Sequence, residues 1–65
     1  MKKVKSIKGW GICQLNEKEV EEYGFKYAVI HPDNAEYLRN GVCDPSDTDV
    51  ECDSLESAVS WVNNY

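Results

Sequence analysis

The segment Asp47-Thr48-Asp49-Val50-Glu51-Cys52-Asp53 sets a carboxylate at every second position, the oxygen-rich pattern that a hard cation such as calcium requires. Started at Asp47, however, an EF-hand register puts Cys52 where the turn needs Gly and Ala58 where it needs a bidentate Glu. Starts at Asp44 and Asp49 fail in the same way. If the segment is extended, Asp47, Asp49, Glu51 and Asp53 point to one side and form a carboxylate stripe. That stripe is either a plain solvated face or a surface for a basic partner.

Cys13, His31, Cys43 and Cys52 are four residue types that can hold zinc, but structural zinc sites show a closely spaced cysteine knuckle and this chain has none. A catalytic thiolate needs nearby cations or a helix N-terminus, whereas Cys43 and Cys52 lie in the most acidic part of the chain, where like charge disfavours thiolate. With His31 the only histidine, any acid–base pair other than a carboxylate dyad must include it. Gly9-Trp10-Gly11 lacks the third glycine and the following helix of a phosphate loop. The sequence thus predicts no enzyme, no metal and no cofactor. Lys2, Lys3, Lys5 and Lys8, with Trp10 nearby, are the one candidate for phosphate contacts. They read better as edge-strand lysines that discourage sheet aggregation, so no direct nucleic-acid binding is expected.

The elements that must position these residues are legible to different degrees. Residues 3–15 read as one strand with a defect: Val4, Trp10 and Ile12 share one parity, Ile7, Cys13 and Leu15 the other, and Gly9 and Gly11 suggest a bulge between them. Asn16 and Glu19 form a capping-box pattern, Leu15 and Val20 the matching hydrophobic staple, and Gly24 a helix stop, which predicts a helix over 17–23. Residues 25–31, Phe25-Lys26-Tyr27-Ala28-Val29-Ile30-His31, read as a central strand with both faces covered, ended by Pro32. Residues 34–40 are either a short helix capped by Asp33, running from Ala35 to Arg39, or the second arm of a hairpin. Asp44-Pro45-Ser46-Asp47 reads as a turn and Val50-Glu51-Cys52 as a short strand. Asp53 as cap with Glu56 three residues on, followed by the stripe Leu55, Ala58, Val59, Val62 and Tyr65, predicts the C-terminal helix. Trp61 lies beside that stripe.

The fold class expected is therefore α+β, a single domain over 1–65. A small, mainly antiparallel sheet of three strands, or four with the hairpin arm, carries the C-terminal helix on one face and a short helix after the first strand. Trp10, Phe25, Tyr27, Val29 and Ile30 are expected to meet Leu55, Val59 and Val62 in the core.

With 65 residues the chain has room for one small core and no deep active site, yet 42% apolar and 11% aromatic residues are too many for a disordered tail. No apolar run follows the basic start, and none is long enough to span a membrane. The expectation is a cytoplasmic protein with no membrane contact. Three cysteines fit reduced thiols better than a secreted scaffold, a Cys43–Cys52 bridge being the alternative. The net charge is −5, but residues 9–65 hold three basic against twelve acidic residues, and no Lys or Arg follows Arg39.

What remains is binding to a larger protein. The acidic residues Asp44, Asp47, Asp49, Glu51, Asp53 and Glu56, with Glu19 and Glu22 on the first helix, fit a basic groove, and Tyr37 and Trp61 are candidate aromatic anchors. Such grooves commonly hold DNA or RNA, so a folded carboxylate array can compete there as a nucleic-acid mimic. In size and charge the chain is similar to the small inhibitors encoded by phages and mobile elements, anti-CRISPR proteins among them. The leading expectation is a non-enzymatic inhibitor or regulator of a nucleic-acid-handling protein. The alternatives are a homo-oligomeric interaction module, in the simplest case a homodimer, and a metal- or redox-responsive protein built on Cys13, Cys43 and Cys52.

Overall fold

Lys8 and Gly9 both take positive φ, 52° and 84°, the left-handed pair that a two-residue type I′ turn needs. The chain doubles back there, so the segment expected to be one defective strand is a hairpin. Its arms are β1 (Lys2–Ile7) and β2 (Trp10–Gln14), with Ile7 opposite Trp10. The register irregularity falls between Lys3 and Lys5 instead of at the glycines. The two apolar parities have a different cause from a bulge: both faces of the sheet are covered, so Trp10 and Ile12 bury on one and Cys13 on the other. Gly11 serves a close approach, because a Cβ there would stand 2.5 Å from Leu38 Cδ1.

The computed structural model describes residues 1–38 and 42–65, without the side chains of 35–37. Helix α1 (Glu17–Tyr23) has the anticipated capping box: Asn16 Oδ1 accepts the Glu19 N–H at 2.8 Å, and the Asn16 N–H donates to Glu19 Oε1 at 3.0 Å. Gly24 ends it in the left-handed conformation, and Val20 packs against the cluster that holds Leu15 and Phe25. Strand β3 (Tyr27–Ile30) pairs with β2, and β4 (Val50–Cys52) pairs with β3. The result is a four-stranded antiparallel sheet in the order β1-β2-β3-β4, crossed on one face by the C-terminal helix α2 (Leu55–Asn63). This is an α+β fold, with the short helix following the first hairpin.

Between β3 and β4 the described residues form two 3₁₀ turns, Pro32–Tyr37 and Pro45–Asp47. The first replaces both the expected α-helix and the expected hairpin arm over its length; Arg39 lies outside the described residues. Asp49 explains the tight turn, since its carboxylate accepts the His31 N–H at 2.8 Å and the Asn34 side-chain amide at 3.1 Å. Helix α2 starts one residue later than expected. Ser54 is its cap, accepting the Ser57 N–H at 3.1 Å, which leaves Asp53 outside the helix.

Strand alternation divides the core into two layers. Trp10, Ile12, Val29 and Cys52 meet Ala58 and Val62 of α2, with Tyr27, Val50 and Val59 at the margin. On the opposite face Met1, Cys13, Leu15, Phe25, Ala28 and Ile30 pack together, joined by Val20, Leu38 and Cys43. Phe25 and Ile30, expected beneath α2, therefore lie on the other side of the sheet, and Leu55 stays 38% exposed. No helix among the described residues is long and apolar enough to cross a membrane.

Candidate functional site

The acidic residues fall into two groups according to whether the chain itself uses them. Glu19 Oε2 lies 2.6 Å from the N-terminal ammonium of Met1, whose nitrogen also donates to the Cys43 carbonyl at 3.0 Å. Burial of Glu19 raises its pKa, but the Asn16 N–H and the ammonium outweigh this and hold the carboxyl below its ordinary value. Asp44 accepts the Ser46 N–H at 2.9 Å, capping the second 3₁₀ turn, and the Tyr23 hydroxyl at 3.3 Å, tying α1 to that turn. The bonds from Ser46 keep its carboxyl below the usual range. Asp49 pins the first 3₁₀ turn. These three carboxylates build the fold.

Glu51, Asp53 and Glu56 are exposed, as are Glu22, Glu17 and Glu21 on α1. None has a hydrogen-bond or ion-pair partner among the described residues. Asp47 is half-buried at the end of the second 3₁₀ turn. The carboxylate stripe is accordingly shorter than expected. Only Val50–Cys52 is strand, so alternation governs Glu51 alone, directing it away from the α2 face on which Val50 and Cys52 pack. Asp47 sits in a turn and Asp53 in the bend before α2. The side chain of Tyr37 lies outside the described residues.

Among the described residues the close contacts between groups of opposite charge type are Met1–Glu19 and His31–Asp33, the latter at 3.6 Å. In the second, His31 Nδ1 also accepts the Asp33 N–H at 3.0 Å. Among the described residues no lysine pairs with a carboxylate.

Trp61 is one part of an aromatic group centred on Trp10, which was expected in the core but not as the centre of such a group. Trp10 is buried, and its ring meets His31, Trp61 and Tyr65 edge-on at centroid distances of 4.6, 5.2 and 4.9 Å. Trp61 and Tyr65 also border a shallow open groove along α2 with Ser54, Ser57, Ser60 and Asn64. His31 does not line that groove, nor the one beside α1.

The thiols are free and poorly placed for nucleophilic work. Burial, then its neighbour Cys43, pushes Cys13 up to about 12. Burial raises Cys43, helped by Asp47, and burial raises Cys52, helped by Asp53. Cys52 packs beneath α2 and Cys43 on the opposite face, so the sheet itself separates the two partners of the considered bridge. Among the described residues no three His, Cys, Asp or Glu side chains gather as a metal cluster. Comparisons with protein-family models, curated proteins and solved structures gave no match to the chain.

Proposed function

We propose that this protein is a non-enzymatic acidic binding protein that inserts its free carboxylates into a basic, nucleic-acid-binding groove of a larger protein. The observation that carries the reading is the separation of the acidic residues into two groups. Glu19, Asp44 and Asp49 are consumed by the fold. Glu51, Asp53 and Glu56, with Glu17, Glu21 and Glu22 on α1, stand in solvent with no lysine drawn to them.

Unpaired surface carboxylates repel one another and do nothing for stability. A basic groove relieves that repulsion and gains long-range steering in the encounter. The size of the molecule fits such a task. Its accessible surface is 4270 Å², and a standard interface takes about 800 Å² from each partner, so a modest contact commits a fifth of this protein. Trp61, 36% exposed beside Glu56 in the α2 groove, supplies an aromatic anchor at the margin of the acidic surface.

The test is capture of partners from host lysate at low and moderate salt, followed by kinetics with the purified partner. A nuclease, polymerase or other nucleic-acid-binding protein, displaced by competing DNA, is the expected catch. The triple variant Glu51→Gln, Asp53→Asn, Glu56→Gln should then slow association at least several-fold and leave dissociation nearly unchanged. An unchanged association rate, or a captured partner indifferent to DNA, would overturn the reading.

A further inference from the structure

Helix α2 holds no Lys or Arg, and none follows it in the sequence. Its solvent side carries two neighbouring rows of side chains at the i,i+4 spacing of one helix face. Ser57, Trp61 and Tyr65 form the first row, Glu56, Ser60 and Asn64 the second, and all six line the open groove along the helix. Serine at 57 and 60 keeps the near half of the groove low, so the two rings rise as a wall at the other end. Trp61 and Tyr65 lie 5.4 Å apart with their planes 32° from parallel, and each meets the buried ring of Trp10 edge-on. Trp10 thus backs both rings while they remain reachable, at 36% and 78% exposure.

The free groups at that end of the groove favour positive charge. The faces of both rings are the negative side of their quadrupoles. Asn64 donates its side-chain amide to the Ser60 carbonyl at 2.8 Å and to the Ser60 hydroxyl at 3.2 Å. A carbonyl can only accept, so the amide nitrogen is held there, and Oδ1 is left as an acceptor with no donor among the described residues. The last turn of α2 has no basic side chain to offset its dipole, which puts about half a negative charge at the helix end. Glu56, exposed and without an ion-pair partner among the described residues, adds a full charge farther along. The matching ligand is flat, cationic and donor-only. A guanidinium is all three: it stacks on aromatic faces and presents five N–H groups with no acceptor. An ammonium lacks the flat face, and a phosphate is repelled.

We propose that this groove is a socket for an arginine side chain of the basic partner, with the guanidinium stacked on Trp61 and Tyr65 and donating to Asn64 Oδ1. The inference rests on the groove-binding reading and names the residue type that enters at α2. Glu56 stands about 7.5 Å along the axis from Trp61, at 1.5 Å per residue, where it attracts a second basic residue of the same segment.

The experiment is NMR titration of the folded, isotope-labelled protein with capped tripeptides, in salt below about 0.1 M so that screening stays weak. Acetyl-Gly-Arg-Gly-amide is compared with its lysine counterpart and its citrulline counterpart, which keeps the shape of arginine without the charge. The arginine peptide should shift the Trp61 indole N–H and the backbone amides of 57–65, with a dissociation constant on the order of 10 mM. Lysine should bind at least threefold more weakly, and citrulline at least tenfold. Trp61→Leu should weaken the arginine peptide at least threefold. Tyr65→Ala should do the same at a side chain too exposed to carry the fold, which keeps the test valid if circular dichroism shows Trp61→Leu to be unfolded. No saturable shift at these residues, equal binding of citrulline or lysine, or a Tyr65→Ala protein that binds as the wild type does would each overturn the proposal. The titration contains no partner, so its failure leaves the groove reading to stand on displacement of the captured partner by DNA. Conversely, a captured partner indifferent to DNA sinks that reading and leaves the measured socket in place.

Discussion

Replacing Glu19 tests the contact on which the N-terminal end of the sheet depends. The Met1 side chain is buried, its ammonium is partly buried, and the Glu19 side chain 2.6 Å from that ammonium retains 17% exposure, so the pair lies between two known regimes. Exposed ion pairs are worth up to about 1 kcal/mol, whereas removing one member of a buried pair costs about 3–5 kcal/mol. Glu19→Gln keeps a side chain able to accept the Asn16 N–H, since Gln serves in a capping box, and removes only the charge. The expected loss is about 2–3 kcal/mol. Glu19→Ala also deletes half of the capping box and should cost about 1 kcal/mol more. A domain of this length holds roughly 3–10 kcal/mol in all, and 1 kcal/mol moves Tm by about 4–8 °C. Glu19→Gln should therefore melt about 10–20 °C lower, and Glu19→Ala should be partly unfolded at 25 °C.

The assay is thermal and urea unfolding followed by circular dichroism, with exposed Glu22→Gln as control, expected within about 0.5 kcal/mol of wild type. The pH dependence is a second constraint. Because the folded pKa of Glu19 is depressed, its stabilisation is complete above the unfolded value of about 4.3 and disappears as pH falls through the folded value. The gap between wild type and Glu19→Gln should be widest near neutrality and close in acid. Acetylating the Met1 amine should produce the same loss as Glu19→Gln, and the two changes together little more than either alone. A Glu19→Gln protein that melts within 2–3 °C of wild type, at the roughly 4–8 °C per kcal/mol of a small domain, would refute the reasoning. A gap that persists unchanged in acid would do the same.

Trp10→Ala should leave the chain largely unfolded, since deleting a buried Trp costs about 3–5 kcal/mol and Trp10 meets His31, Trp61 and Tyr65. Trp61→Ala, at a residue 36% exposed, should cost no more than about 1.5 kcal/mol; both are read from urea midpoints and near-ultraviolet dichroism. Thiol titration of the folded protein at neutral pH should find Cys13 unreactive, as its burial and a pKa near 12 require, and three thiols after denaturation. Oxidation of the native protein followed by peptide mapping should yield no Cys43–Cys52 link, because the two lie on opposite faces of the sheet.

What could be read in advance was local. The Asn16–Glu19 capping box, the Gly24 stop and the Pro45 turn are each written within a few residues, and each formed as expected. The fully buried Ala28-Val29-Ile30 run correctly indicated a strand covered on both faces. The errors came where a local pattern admits two tertiary outcomes. Lys8-Gly9 is an unremarkable pair by composition, and only positive φ at both makes it a hairpin turn. Asp53 and Ser54 are equally good caps, and the backbone selected Ser54. Met1 gave no signal at all, because a terminal residue is ordinarily frayed; here it lies in the core and its ammonium organises Glu19 and Cys43.

The same limit applies to the acidic surface, and it sharpens the functional argument. By sequence, Asp49 and Glu51 are equivalent members of an alternating run, but Asp49 spends its oxygens on His31 and Asn34 while Glu51 has no partner among the described residues. A carboxylate of the first kind destabilises the fold when neutralised; one of the second kind is neutral for the fold or relieves repulsion. Stability and binding therefore separate residue by residue. Asp44 and Asp49 variants should lose both together, whereas Glu51, Asp53 and Glu56 variants should keep their unfolding midpoint and lose only association. The free carboxylates are thus the residues at which the proposed binding can be tested without disturbing the fold.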